Sequence, residues 1–297
     1  MFATLEMCQG TRRMTGKQYL RSCPMPNDIP GHVYLCQVSE TISCGACCGL
    51  YNIFDLSRSK LEDLLHRRTL AFRSIPRTEK DLDDFAFNEL RRMGDDKPYP
   101  HFHHCPFLGF IGPDLSRVGC LLHPLVPENR GLDLRGYSYY GAAACRMYFC
   151  PSYYRLPARF KRIVQSTAPD WYLYGLLITE YRLLNALFTD IEARLGREIT
   201  AADFVGQEAA IQRMQPILSL KEDWPYRSMS SPGPGHYVFE DGEYQRPGTT
   251  YPGQTRIQSP FDPIFHELDS EFDSLPTLHR AEADLEDLLA SLARVLV

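Results

Sequence analysis

No uninterrupted apolar run of about 18 residues occurs in this chain of 297 residues, which argues against an ordinary membrane-spanning helix. The N-terminal stretch MFATLEMCQGTRRMTGKQYL lacks the apolar segment of a secretory signal, and the polar residues after Arg12-Arg13 do not fit a twin-arginine signal. A cytoplasmic protein without membrane contact is expected. Excess charge of one sign is also lacking: 32 basic against 37 acidic residues give a formal net charge of -5, which offers no electrostatic case for a nucleic-acid partner. Paired carboxylates, a nucleophile constellation and a phosphate-cradling glycine loop are not recognisable, since Pro232-Gly233-Pro234-Gly235 has no strand-loop-helix context. Nothing here makes the protein an enzyme or excludes one.

What the chain does have is ten cysteines, three of them within the stretch SCGACCG that runs from Ser43 to Gly49. In a reducing compartment such clustering points to metal binding or redox work, because structural disulfides do not persist there. Cys47 and Cys48 also disfavour a bridge with each other, since neighbouring Cα atoms lie closer than ordinary disulfide geometry requires.

The pattern around the cysteines divides the chain into segments. Residues 1–35 read as irregular, with Pro24, Pro26, Pro30 and Gly31 breaking any long element. Residues 36–157 form a cysteine-rich metal-binding domain. Within it Ser59-x-x-Glu62 opens a helix over about 59–70, and Leu82, Phe85 and Leu90 mark a second over 78–93. From 98 to 157 there is little periodicity, and a bound metal is the expected source of order in so long an irregular stretch. A helical region covers 158–223: one helix over 171–195 capped by Gly196, and another opened by Thr200-x-x-Asp203 that ends near Pro216. A Pro/Gly-rich segment follows over 224–263, carrying a small hairpin at 237–244 with an Asp-Gly turn. Residues 264–297 hold a C-terminal helix. The fold class is mainly α with long irregular metal-stabilised loops.

Cys36, Cys44, Cys47, Cys48, Cys105, Cys120, Cys145 and Cys150 make eight thiols, enough for two four-cysteine centres or one larger cluster. Neighbouring side chains diverge, so Cys47 and Cys48 fit best if each serves a different metal. Gly45 and Gly49 would let the backbone approach closely and turn with positive φ. Isolated Cys8 and Cys23 read as free thiols, and His101, His103 and His104 as a solvated loop beside Cys105. Tyr137, Tyr139, Tyr140, Tyr148, Tyr153 and Tyr154 read as a packed shell excluding water from the site.

CGACC, then Cys105-Pro106-Phe107-Leu108, then Gly119-Cys120-Leu121-Leu122 and finally Cys145-Arg146-Met147-Tyr148-Phe149-Cys150 together resemble the bacterial YkgJ-type family, described as a zinc- or iron-chelating domain. The resemblance covers residues 36–151. It implies metal binding, with Cys36 standing in for the first cysteine of CxxCxxCC, whose place is taken by Thr41. A longer insertion after Cys120 contains His123, a substitute ligand or merely a polar loop residue. Proteins that methylate flagellin lysines carry a similar cysteine set, which keeps a methyltransferase-like or redox enzyme of unknown substrate among the readings. Adjacent cysteines, the Cys150-Pro151 step and the aromatic surroundings favour an iron-sulfur cluster with an electron-transfer or redox role. The alternative is zinc in a structural module that presents its helical half to a protein partner.

Overall fold

The computed structural model describes residues 29–94, 97–100, 102–112, 114–231, 233–235, 248–254 and 259–297. Cys8, Cys23, His101 and the hairpin expected at 237–244 lie outside them. Of the described residues 55 % are helical against 6 % in strands or bridges, so the protein is mainly α.

The N-terminal half builds one hydrophobic core. Helix α1 (Arg58–Ser74) starts just before the expected span and outlasts it; its N-cap is Ser57, whose side chain makes no capping bond. Helix α2 (Glu79–Met93) is capped by the Thr78 side chain, which accepts from the Asp81 N–H. Leu61, Leu65 and Phe72 of α1 and Leu82 and Phe85 of α2 lie in one cluster. These helices meet an antiparallel hairpin inside the stretch expected to be irregular: β1 (Leu108–Ile111) and β2 (Arg117–Cys120), with Leu108 opposite Cys120. Two four-residue strands are too short to show alternation, and tertiary contacts hold them. The Thr69 hydroxyl of α1 donates to the Phe110 carbonyl at 3.0 Å and accepts from the Phe110 N–H at 2.8 Å.

Two short helices, α3 (Gly141–Met147) and α4 (Ser152–Arg155), lead to the C-terminal half. There α5 (Ala158–Thr167), α6 (Trp171–Ile178), α7 (Tyr181–Leu195), α8 (Glu208–Asp223), α9 (Asp262–Glu267) and α10 (Leu275–Val295) surround a second core. Every residue of α6 is buried. It serves both cores: Trp171, Tyr172 and Leu176 belong to the first, Leu173, Tyr174, Leu177 and Ile178 to the second.

Three expectations need correction here. The apolar stripe over 171–195 is two helices, because the chain turns at Thr179–Glu180 and sends the Glu180 carboxylate to Lys221 at 3.4 Å. Gly196 does cap α7, at φ 65°. Thr200 and Asp203 form a capping box around a single 3-10 turn, and the longer helix α8 begins only at Glu208. It then runs through Pro216, with Ile217, Leu218 and Leu220 buried beyond the proline, so core packing overrides a missing backbone donor.

Candidate metal centre

The stretch SCGACCG is bolted to the hairpin by its first residue. Ser43 is fully buried and its hydroxyl accepts from the Val118 N–H at 2.9 Å, while the Gln37 side chain donates to the Val118 carbonyl at 2.7 Å. Residues 37 and 43 pair across an antiparallel bridge, and the Cys44 N–H donates to the Cys36 carbonyl at 2.8 Å. A short loop returns Cys36 to the side of Cys44, with Thr41 exposed in the loop.

After Cys44 the chain makes one 3-10 turn, Ala46–Cys48, ending at Gly49 with φ 84°. A Cβ at Gly49 would lie 2.7 Å from the His104 Cα, because segment 103–105 passes directly beside it. There the Cys105 N–H donates to the Cys48 carbonyl at 2.8 Å. Gly45 has negative φ, contrary to expectation, and is needed instead for its close approach to Val118 and Leu50. The tight turn keeps the Cys47 and Cys48 thiols close enough to shift each other's ionisation.

The other cysteines come to this turn from separate elements. Cys120 ends β2, Cys145 lies in α3 and Cys150 just precedes α4. Packing places six of the eight, and electrostatics relates the other two, Cys47 and Cys145, to them. By packing, Cys36 and Cys150 lie against the C-terminal core, Cys48, Cys105 and Cys120 in or against the N-terminal core, and Cys44 touches both. By electrostatics, Cys44 feels Cys36, Cys47 and Cys150, whereas Cys48 feels Cys105 and Cys120, and Cys105 and Cys120 each feel Cys145. Cys47 is the leading charge on Cys36, Cys44 and Cys150, and it also acts on Cys48, Cys105 and Cys145. The groups are therefore Cys36, Cys44, Cys47, Cys150 and Cys48, Cys105, Cys120, Cys145. They touch at Cys47 and Cys48.

All eight are free of disulfides; Cys105 is buried, Cys47 and Cys145 reach solvent, and the rest are half-buried. Burial pushes the Cys36 and Cys105 thiols up to about 12 and Cys150 to about 11, and raises Cys44, Cys120 and Cys145 as well. Cys48 is raised first by its bond to Cys47, and that same bond holds Cys47 below the ordinary thiol value. Backbone donors nevertheless aim at the sulfurs. The Ala46 N–H donates to Cys44 at 3.5 Å, and the backbone N–H groups of Phe107, Leu122 and Ser152 oppose the upward shifts of Cys105, Cys120 and Cys150. Among the described residues no three His, Cys, Asp or Glu side chains already stand at ligand distance from one point. The thiols are neighbours within two groups, short of coordination geometry.

Around them, residues from several elements hold the frame, Tyr153 as expected and others unforeseen. Tyr153 is buried; its hydroxyl accepts from the Leu35 N–H at 2.8 Å and lies 3.3 Å from Cys36 Sγ. Tyr174 donates to the Leu35 carbonyl at 2.9 Å. Beside Cys145, Asp133 binds Arg135 and Arg146 at 2.7 and 2.6 Å, and this ion pairing keeps its carboxyl well below the usual range despite burial. The other expected shell residues, Tyr137, Tyr139, Tyr140, Tyr148 and Tyr154, are exposed, so they do not form a packed shell that excludes water. His104 was expected in solvent but is 1 % exposed; its ring nitrogens contact Gly49 O at 2.6 Å and Arg68 Nη1 at 2.7 Å, which leaves neither for a metal. His123 Nδ1 accepts from the Leu125 N–H at 3.2 Å. The sequence signals for the missed residues, Tyr174, Asp133 and Lys161, were slight, the clearest being a lysine, Lys161, on the apolar face of α5.

Compared with known protein families, curated proteins and solved structures, the chain matches none.

Proposed function

We propose that this is a cysteine-ligated metal protein with two centres, Cys36, Cys44, Cys47 and Cys150 holding one and Cys48, Cys105, Cys120 and Cys145 the other. The observation that carries this reading is that packing separates Cys36 and Cys150 from Cys48, Cys105 and Cys120, while the leading charges tie Cys44 and Cys47 to the first set and Cys145 to the second. Four thiolates per centre is the complement for a structural zinc or for a cubane cluster. The donor set fits such a group chemically. The thiols are soft ligands without disulfide partners, and N–H donors already point at four of the sulfurs, an arrangement that stabilises thiolate and tunes a bound cluster.

Iron-sulfur clusters with an electron-transfer role are the assignment we favour. Adjacent cysteines suit two neighbouring clusters, the order of cysteines resembles the YkgJ-type domain, and solvent-reaching Cys47 and Cys145 offer an edge for electron exchange. Protein purified without oxygen is expected to be brown, with absorbance near about 400 nm and iron accompanied by acid-labile sulfide. A colourless protein carrying stoichiometric zinc would overturn the iron assignment; protein that takes up neither metal would overturn both centres.

A further inference from the structure

Lys161 lies on the buried face of α5 with 1 % of its surface exposed. Among the described residues no carboxylate stands at ion-pair distance from it. Its ammonium donates to the Tyr153 carbonyl at 2.7 Å and lies 5.9 Å from the Tyr153 ring. Gly31 closes over it at φ 66°, where any Cβ would overlap the ammonium. A buried ammonium is costly unless a negative charge faces it. Burial holds the ammonium below the ordinary lysine value, and Cys150 is the acidic group close enough to oppose that. Tyr153, whose carbonyl the ammonium holds, touches Cys36 through its hydroxyl at 3.3 Å and donates its N–H to the Cys150 carbonyl at 2.9 Å.

We infer that Lys161 is the counter-charge of the centre formed by Cys36, Cys44, Cys47 and Cys150. Four thiolates outweigh a divalent ion, so net negative charge remains on a loaded centre, and here one buried cation faces it from the C-terminal core. The other centre has a different supply, the arginines bound to Asp133. Lys161 is thus a positioning and charge-balancing residue and does not ligate. The inference rests on the two-centre reading above.

The test uses reduced, full-length protein titrated with zinc(II) alone against a competing chelator, with far-ultraviolet circular dichroism in parallel. K161M removes charge and hydrogen bond together, whereas K161Q keeps an N–H donor for the Tyr153 carbonyl. Both are expected to weaken one of two zinc sites by about 10–100-fold, with the other site and the helical signal unchanged. Wild-type affinity at both sites in K161M overturns the inference. So does wild-type affinity in K161Q, which would assign the effect to the hydrogen bond, and so does joint loss of both sites with the helical signal, which would make Lys161 a packing residue. Wild-type protein that takes up neither zinc here nor iron with acid-labile sulfide would instead overturn the two-centre reading itself.

Discussion

Gly45 and Gly49 look alike in the sequence, yet the structure asks different things of them. Gly49 combines φ 84° with a neighbouring chain at 2.7 Å, so both conformation and space exclude a side chain. Gly49→Ala is expected to cost about 3 kcal/mol in denaturant unfolding. At Gly45 a methyl group meets only side-chain ends, Val118 Cγ1 at 3.0 Å and Leu50 Cδ2 at 3.3 Å, which can shift. Gly45→Ala should therefore cost about 1 kcal/mol. Equal losses in the two variants would contradict this account. Asp133 gives a pH dependence. Its folded carboxyl is held below its unfolded value of about 3.9, so its contribution is complete above that value and is lost as acid protonates it. Against wild type, Asp133→Asn should be destabilised by about 3 kcal/mol at neutral pH, with the gap narrowing only below about pH 4. A gap that stays constant down to pH 2 would rule this out.

Among the elements, helices with a plain apolar stripe were legible. Leu82 and Phe85 placed α2, and Leu285, Leu289 and Leu292 placed α10, because one buried face at a 3.6-residue period needs no knowledge of its partner. Legibility failed where a tertiary contact interrupted a good pattern. Tyr181 through Ile191 continue the stripe of α6, but Glu180 must turn inward to meet Lys221, at 2 % and 1 % exposure of the two side chains. Removing either partner leaves a buried charge, so Glu180→Ala or Lys221→Met alone should lower stability by about 3–5 kcal/mol. The double variant should recover part of that loss in a thermal or chemical melt; losses that simply add would show that the two residues act separately. The hairpin β1–β2 failed for a related reason. Thr69, Ser43 and Gln37 satisfy its outward backbone groups from other elements, and no local signal announces such partners.

On the scale of the whole molecule, the cysteine loop lies where two cores meet, with α6 buried between them. Two adjacent and chemically identical residues should then report on different centres. Cys47→Ser and Cys48→Ser are each expected to remove about half of the bound metal, measured by metal analysis of anaerobically purified protein. In Cys47→Ser the surviving centre should be the one that needs Cys105, so that adding Cys105→Ser empties the protein, whereas adding Cys105→Ser to Cys48→Ser should change nothing further. If every single variant lost all the metal, the eight cysteines would hold one cluster instead of two.

The sequence by itself determined the inventory: eight thiols in a recognisable order, glycines at a tight turn, and helices whose buried faces repeat at fixed intervals. Each of these is set by residues close together in the chain. Which cysteines become neighbours came from the folded chain. Cys36 returns to Cys44 through a loop, Cys105 reaches Cys48 through a backbone hydrogen bond 57 residues away in sequence, and Cys150 arrives beside Cys36 with Tyr153. Such meetings depend on which cores form and on which side of the shared helix each segment packs, and residue spacing along a chain carries no record of that.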